Sequence, residues 1–262
     1  MIKFSVITVC LNAGDDLVDT VTNTLNQTYE NFEIIVKDGL STDGSVERLP
    51  ADPRIRLIRK KDTGIYDAMN QGIDEASGDY LIFMNAGDRF FEQSTLEKIV
   101  KEMEAQEAQI YYGRCYNETL RCFSNVPKRL TPFFCHRSMI CHQGMVCKRE
   151  YLVGKKYDCS YKVSADRELL LHAVIKAKLP TKRIQVAVAK YQGSGFCESA
   201  PNQKRVQEED QRLKREYFTK WQNMCYRARI ALTLPGLRRR IVKNPKLVKF
   251  YKRLVGYLYG NK

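Results

Sequence analysis

Four short, largely apolar runs recur in the first part of the chain, and the run at 80–84 is bounded by Gly78-Asp79 before it and by Asn85-Ala86-Gly87 after it. They cover residues 4–10, 32–36, 55–58 and 80–84. An apolar run of this length with turn residues at its ends is typical of a strand buried on both faces of a parallel sheet. The pattern therefore predicts four strands, of which those at 4–10 and 80–84 are buried.

Segments with helical periodicity lie between these runs, most clearly at residues 65–76. Alternating strands and helices indicate right-handed βαβ units, in which helices cover a parallel sheet. After residue 110 the alternation weakens, although the pattern still predicts a helix at 166–177 and a strand at 184–189. We therefore expect an α/β fold with a Rossmann-like, mostly parallel sheet flanked by helices.

At 262 residues the chain is long enough for one large α/β domain with an appendage. We expect residues 1–200 to form that domain, in two halves at 1–110 and 111–200, and residues 201–262 to form a helical basic extension. A helix beginning near Asn202 is expected to pack on the body through one apolar face. That face consists of Val206, Leu213, Tyr217, Trp221 and Met224.

The positive charge is confined to the end of the chain. Residues 211–262 contain 15 Lys and Arg but one acid, Glu216, so they account for the whole net charge of +14. Residues 238–258 have an apolar stripe opposite a basic one, which favours peripheral contact with an anionic membrane surface. Packing on the body or on a partner is the alternative. Nucleic-acid binding is not expected, because no stacking platform accompanies the basic cluster.

No apolar stretch is long enough to span a bilayer, and the N-terminus begins in a strand without the layout of a signal peptide. Nine cysteines without a C-x-x-C pair indicate reduced thiols. We therefore expect a cytoplasmic protein, with the basic extension on the inner face of the cell membrane.

Three aspartates follow the predicted strands: Asp38 after the second, Asp62 after the third and Asp88 after the fourth. The carboxyl ends of parallel strands share one edge of a sheet, which is where such folds bind ligands. A single aspartate there is commonly a turn residue. Three of them predict a site for a cation or for polar groups. The chain lacks both a P-loop and a G-x-G-x-x-G fingerprint after its first strand.

Four motifs, in order and at matching spacing, carry a family resemblance: FSVITVCLN at 4–12, DGLSTDGS at 38–45, DTGIYDAMNQG at 62–72 and GDYLIFMNAGD at 78–88. With Cys-His-Gln at 141–143 and the segment around Asp166, they resemble glycosyltransferase family 2, whose members have the GT-A fold and invert the anomeric centre. The resemblance extends over residues 1–195 and is strongest with small bacterial enzymes of polysaccharide biosynthesis. It implies that residues 1–110 bind a nucleotide-sugar and 111–200 the acceptor.

The resemblance also implies which residues hold the donor. The end of the first strand and Asp38 would bind the base and ribose, with Asp38 accepting a hydrogen bond from a base N–H. Asp62 and the following segment would complete the nucleotide wall. The positions implied for nucleotide-sugar binding are Thr8, Cys10, Asn12, Asp38, Asp62, Tyr66, Asn70, Asn85, Ala86 and Gly87.

The family's D-x-D metal motif falls at residues 85–88, and here the sequence departs from it. Asn85 and Gly87 replace acidic positions, so Asp88 alone keeps a carboxylate. The resemblance implies Mg²⁺ or Mn²⁺ on Asp88 and His142, with the diphosphate supplying further oxygens. For His142, a neutral histidine buried by hydrogen bonds is the alternative.

Asp166 matches the family's general base, which removes the acceptor's hydroxyl proton on the face opposite the leaving group. Its alternative is a first-turn acid that interacts favourably with the helix dipole. We therefore expect an inverting transfer of one sugar from a nucleotide-diphosphate-sugar to a saccharide or lipid-linked saccharide in cell-surface polysaccharide synthesis. There are two alternatives: a nucleotidyltransferase, and a non-catalytic binding subunit of a membrane glycan-assembly complex. Turnover of a nucleotide-sugar distinguishes the enzyme from the binding subunit, which would show none.

Overall fold

The computed structural model describes residues 1–193 and 200–232. Within these ranges the chain forms nine strands and eight α-helices. The strands are β1 (Phe4–Cys10), β2 (Phe32–Asp38), β3 (Ile55–Arg59), β4 (Tyr80–Phe83), β5 (Arg89–Phe90), β6 (Ile110–Asn117), β7 (Cys122–Phe123), β8 (Met145–Lys148) and β9 (Thr181–Tyr191). The helices are α1 (Asp15–Leu25), α2 (Ile65–Glu75), α3 (Thr95–Glu104), α4 (Pro132–Arg137), α5 (Arg149–Lys155), α6 (Ala165–Leu171), α7 (Ala200–Tyr217) and α8 (Lys220–Leu232).

The first four strands form the parallel part of one sheet, in the order β3-β2-β1-β4. In β1, Phe4 lies opposite Phe32 of β2 and Tyr80 of β4, so the three strands start level. Their carboxyl ends consequently lie along one edge of the sheet. The four predicted strands are confirmed, with β2 and β3 continuing one or two residues beyond the predicted ends.

The second part of the sheet is mixed. β8 pairs antiparallel with β4 and with β6, and β9 then runs parallel to β6. The two-residue strands β5 and β7 pair antiparallel with β9 and β6. The predicted strand at 184–189 is the middle of β9, and the predicted helix at 166–177 is α6 continued by a π-helical turn at His172–Lys176.

Helices cover both faces of the sheet, and alternate side chains of β1 point into two separate core clusters. Ile7 packs in one cluster with α2 and α6, and Val6 packs in the other with α1 and α3. Gly72 permits the close approach of α2, because a Cβ there would lie 2.6 Å from Cγ2 of Ile7. This two-sided core is the reason that the central strands read as continuous apolar runs.

The C-terminal helices differ from the prediction of one continuous apolar face. Leu213 and Tyr217 of α7 are buried, but Trp221 and Met224 are 68% and 55% exposed. The helix ends at Tyr217, and Thr219 caps a new one by accepting a hydrogen bond from the Gln222 N–H. The break turns the later residues outward, so that half of the prediction is wrong.

In the described ranges no helix is long and apolar enough to cross a membrane. The basic stretch at 238–258 lies outside the described residues.

Candidate active site

The site lies at the edge of the sheet where β1, β2 and β4 end. Cys10 at the end of β1 is the register partner of Asp38 at the end of β2. After β4 the chain stays beside β1, because the Ala86 N–H donates to the Val9 carbonyl over 3.3 Å. The fold therefore brings the predicted positions after the first, second and fourth strands to one edge.

Asp38 lies inside a closed hydrogen-bond network, and its side chain is fully buried. The Ser41 hydroxyl and N–H donate to it over 2.5 and 3.0 Å, and Nε of Arg59 donates over 3.2 Å. Burial, together with the charge of Asp38, raises the pKa of Cys10 to about 12. Cys10 is therefore a neutral thiol against a carboxylate that already has protein donors.

Asn12 joins the loop after β1 to the loop after β2. It adopts a positive φ of 50°, its N–H donates to the Ser41 hydroxyl, and its side-chain oxygen accepts from the Thr42 N–H. Asp43 accepts hydrogen bonds from Ser45 and from the Gly14 N–H, which lower its pKa to about 2. The two loops are thus held together before any ligand binds.

Asp62 is held by a lysine that the sequence reading missed. Lys37 is fully buried, and its Nζ lies 2.8 Å from Oδ2 of Asp62 and 2.7 Å from the Lys60 carbonyl. Lys37 directly follows the predicted strand at 32–36, and its place next to that buried run was the available signal, since a buried ammonium requires a charge partner. Gly39 leaves room for this carboxylate, because a Cβ there would lie 3.0 Å from Oδ2 of Asp62.

The turn after β4 presents Asp88 through two backbone constraints. Gly87 adopts φ of 97°, and its N–H donates to the Thr20 hydroxyl, which itself donates to the Asp88 carbonyl. The Asn85 N–H donates to Oδ2 of Asp88 over 3.1 Å. Glycine at 87 therefore replaces the second metal-motif acid with the backbone freedom that the turn needs.

His142 lies between two buried carboxylates. Its Nε2 is 3.9 Å from Oδ2 of Asp88, and its Nδ1 is 3.8 Å from Oδ2 of Asp166. Burial raises the pKa of Asp88 and of Asp166, and the nearby His142 opposes the shift in each case. The other oxygen of Asp88 accepts from Nε2 of Gln143 over 3.0 Å. Asp88 and Asp166 thus share one site, organised by the histidine.

Asp166 is the second residue of α6, and its side chain is oriented by two donors on one oxygen. The Tyr66 hydroxyl donates to Oδ1 over 3.2 Å, and the Arg167 N–H donates over 2.8 Å. The Tyr66 ring packs on Tyr157 with centroids 5.5 Å apart. Because Oδ1 is occupied, Oδ2 is the oxygen that faces His142. Tyr66 therefore lies against the candidate base, and its contact with a nucleotide stays a prediction.

Two further predicted positions lie away from the edge. The Asn70 amide donates to the Tyr157 carbonyl over 2.9 Å and accepts from its N–H over 2.8 Å, which ties α2 to the segment after α5. Thr8 is fully buried in β1, and its hydroxyl has no hydrogen-bond partner within the described ranges. Contact of either residue with a nucleotide stays a prediction.

The residues around Asp88 offer part of the donor set that a hard divalent cation accepts. Asp88 supplies a carboxylate, and His142 supplies a ring nitrogen 3.9 Å away. The buried side-chain oxygen of Asn85 has no hydrogen-bond partner among the described residues. In that same part of the chain no group of three acids, histidines or cysteines could hold a metal alone. The residues fit a cation that also takes oxygens from a bound diphosphate.

The arrangement of strands and helices is that of the GT-A fold of glycosyltransferases. A crystal structure of Staphylococcus aureus TarS 1-349 superposes with a TM-score of 0.60 at 14% identity, over 73% of this chain and 61% of that one. The Pyrobaculum calidifontis mannosyltransferase PcManGT, solved with GDP-Man and Mn²⁺, superposes with a TM-score of 0.60 at 15% identity. That match covers all of this chain and 88% of the other.

The family model for glycosyl transferase family 2 matches residues 5–158, so the chain belongs to this family and is a glycosyltransferase. It is 28% identical over 205 residues to a PGL/p-HBAD biosynthesis glycosyltransferase of Mycobacterium bovis, covering 73% of this chain and 77% of that one. It is 34% identical over 131 residues to the uncharacterized glycosyltransferase YibD of Escherichia coli, covering 48% and 38%. The resemblance inferred from the motifs is confirmed, and the chain functions in glycan biosynthesis.

Proposed function

We propose that the protein is an inverting glycosyltransferase that moves a sugar from a nucleotide-diphosphate-sugar to a saccharide or lipid-linked saccharide acceptor of the cell surface. The observation that carries the proposal is the position of His142 between the buried carboxylates Asp88 and Asp166. A group for the leaving diphosphate and a group for the acceptor proton then lie on opposite sides of one side chain. TarS and PcManGT, with the same fold, were solved with UDP-GlcNAc and GDP-Man.

Asp166 would act as the general base. Inversion requires a base on the face of the sugar opposite the leaving group. Burial raises the pKa of Asp166, which brings its proton affinity closer to that needed to accept a hydroxyl proton near neutral pH. The Tyr66 and Arg167 donors hold Oδ1, so Oδ2 is the oxygen that we assign to the acceptor hydroxyl.

Asp88 and His142 would hold Mg²⁺ or Mn²⁺, and beside them the buried amide oxygen of Asn85 has no hydrogen-bond partner among the residues that the structure describes. When bound, such a cation stabilises the negative charge that develops on the departing diphosphate. The protein's own part is to present these donors from a fixed turn. The Gln143 hydrogen bond leaves Oδ2 of Asp88 directed toward His142.

The joined loops after β1 and β2 would bind the nucleotide. Their support is the network that fixes Asn12, Asp38 and Ser41 relative to one another. Both oxygens of Asp38 already accept protein hydrogen bonds, and a carboxylate has about four acceptor positions in all. The expected contact between Asp38 and a base N–H therefore requires an acceptor position of this buried carboxylate that the protein donors leave open.

We also propose that residues 1–200 form the catalytic domain, with donor and acceptor halves at 1–110 and 111–200. Residues 201–262 would form a helical basic extension, whose stretch at 238–258 would make peripheral contact with the inner face of the cell membrane. The support is the composition of the chain, whose net charge of +14 resides after residue 210.

The test is calorimetric binding of nucleoside diphosphates to the full chain with and without Mn²⁺. Release of nucleoside diphosphate from the matching nucleotide-sugar is then measured. We expect one nucleotide to bind with cation-dependent affinity, and Asp166→Asn to bind it equally but release far less product. Failure of every nucleotide to bind contradicts the site. Binding with no turnover in either form identifies a non-catalytic subunit instead.

A further inference from the structure

The outward side of α8 carries an apolar face that the body does not cover. It consists of Trp221, Met224, Ala228 and Ala231, spaced 3, 4 and 3 residues apart, and each is exposed. Trp221 and Met224 are the large members, with 68% and 55% of their surface accessible. We call these four residues the outer face of α8. Exposed tryptophan and methionine at helical spacing indicate a surface that binds something apolar.

The inner side of α8 fixes the direction of this face. Tyr226 packs on the rings of Phe133, His136 and Phe218, with centroids 5.1–5.8 Å apart. Asn223 pairs with Nε2 of His136 over 3.0 Å. Rotation of α8 to bury Trp221 would break these contacts, so the outer face stays outward.

The charges around the outer face of α8 indicate what kind of partner it binds. From Tyr217 to the end of the chain there is no aspartate or glutamate. Lys220 and Arg227 are exposed on one side of the outer face, and Arg229 lies over the Phe133 ring at 4.1 Å on the other. A second copy would bring two cationic surfaces together, which like charges disfavour. An anionic lipid surface satisfies both the apolar stripe and its basic borders.

We propose that the outer face of α8 inserts into the interface of an anionic lipid membrane, with Trp221 as its deepest ring. Tryptophan is suited to this depth, because its ring is apolar while its N–H can reach the headgroups. The contact begins at Lys220, before the basic stretch at 238–258 for which membrane contact is predicted from sequence.

This surface is connected to the candidate base. His136, which pairs with Asn223 of α8, accepts a hydrogen bond from Nη2 of Arg167 through its carbonyl over 3.0 Å, and Arg167 follows Asp166. A membrane contact on α8 would therefore bring Asp166 near a lipid-linked acceptor. This consequence rests on the proposed function, whereas the membrane contact itself does not.

Trp221 is the only tryptophan in the chain and reports directly on the proposal. The full chain is mixed with vesicles of phosphatidylcholine, either alone or containing phosphatidylglycerol. We expect its emission to shift to shorter wavelength, and brominated lipid to quench it, with the anionic vesicles only. Nucleotide binding measured without vesicles tests the proposed function separately, so failure of one leaves the other intact.

Two matched variants locate the contact. Met224→Glu places an acid on the outer face, and we expect at least ~10-fold weaker vesicle binding, because apolar burial is lost and anionic lipid repels the new charge. Gln222→Glu adds the same charge beside that face and keeps the oxygen that accepts from the Thr219 N–H, so its emission shift should persist. Vesicle binding with unchanged Trp221 emission overturns the proposal, because the contact then lies elsewhere. A shift of the Trp221 emission that occurs without lipid and grows with protein concentration also overturns the proposal, because it indicates that a second copy of the chain covers this face.

Discussion

Buried carboxylates occur at two ends of the site, and their surroundings differ. At the end formed by β2, Asp38 accepts from the Ser41 hydroxyl and N–H and from Arg59, and Asp62 pairs with the buried Lys37. At the end formed by β4, Asp88 and Asp166 share His142 at 3.8–3.9 Å. The first end compensates its charges with protein donors, and the second leaves its carboxylates only partly compensated.

This difference indicates that the carboxylates at the Asp38 end have a structural role, whereas those at the His142 end take part in the reaction. The Asp38 carboxylate, which accepts three hydrogen bonds from Ser41 and Arg59, holds together the loops around it. Burial raises the pKa of Asp88 and Asp166, which makes them receptive to a proton or a cation. We therefore expect substitutions at the His142 end to change the reaction and those at the Asp38 end to change mainly stability.

The largest effect is expected from Asp166→Asn. Loss of the general base should lower turnover at least ~100-fold, while nucleotide affinity stays unchanged. The pKa of this carboxylate is raised in the folded state, so its stabilising contribution is complete at acid pH and is lost as pH rises through that pKa. At pH 7 the neutral variant should therefore melt ~2–4 °C higher than the parent, which corresponds to a gain of about 1 kcal/mol in the free energy of unfolding. In acid the two proteins should melt at the same temperature.

Asp158→Asn is the matched control for that substitution. Burial alone would raise the pKa of Asp158, but the hydrogen bonds from Ser160 outweigh it and lower the pKa. Its stabilising contribution is therefore present near neutral pH and lost in acid, the opposite sign. Turnover should stay within about twofold, since its carboxylate is bound to Ser160. Equal losses of turnover in the two variants would contradict the assignment of the base.

Asp88→Asn should have the second largest effect, which should be confined to the nucleotide affinity that depends on the cation. Nucleoside diphosphate affinity in Mn²⁺ should fall about tenfold or more, equivalent to about 1.4 kcal/mol, with little change in the absence of Mn²⁺. The measurement is calorimetric titration with and without the cation. Asp74→Asn, at the far end of α2 where Asp74 pairs with Lys156, is the control and should retain the cation effect.

Tyr66→Phe tests, through the pH dependence of kcat, whether the Tyr66 hydroxyl controls the pKa of Asp166. The lost hydroxyl donates to the ionised form of Asp166, so its removal should raise the pKa of that carboxylate further. The acid limb of kcat should move up by about one to two pH units, since such a bond contributes roughly 1.5–3 kcal/mol. Activity should recover at higher pH, which a folding defect would not produce.

Tyr157→Phe makes the same chemical change on the adjacent ring. The Tyr157 hydroxyl is buried and has no hydrogen-bond partner in the described part of the chain. Its loss should leave the acid limb in place, so a matching shift in this variant would show that ring packing, and not the hydrogen bond to Asp166, controls the profile.

The sequence predicted the central fold because parallel strands buried on both faces leave continuous apolar runs, as at 4–10 and 80–84. It did not predict the two-residue strands β5 and β7, which are too short to show a period. Nor did it predict the break after Tyr217. An apolar stripe can continue in sequence across a helix end, although the following helix points elsewhere.

For the site, the motifs indicated Asp88, His142 and Asp166 but not what holds them. The Tyr66 and Asp166 side chains meet across 100 positions of sequence. No local pattern reports such a contact. Lys37 was readable in principle, because a charge within a buried strand requires a partner. Asn70, predicted to bind the nucleotide, gave no sequence signal of its bonds to Tyr157.

Ser41→Ala should have the smallest effect on the reaction and marks the Asp38 end as structural. The Ser41 hydroxyl donates to Asp38 over 2.5 Å and accepts from the Asn12 N–H over 2.8 Å, and both partners would be left short of one hydrogen bond. The free energy of unfolding should fall by about 1–3 kcal/mol, as measured by urea denaturation. Turnover at saturating donor should change less than about twofold. Thr42→Ala, whose side chain is exposed on the same loop, should change neither quantity. A large loss of turnover without loss of stability in Ser41→Ala would place chemistry at this end and remove the distinction between the two.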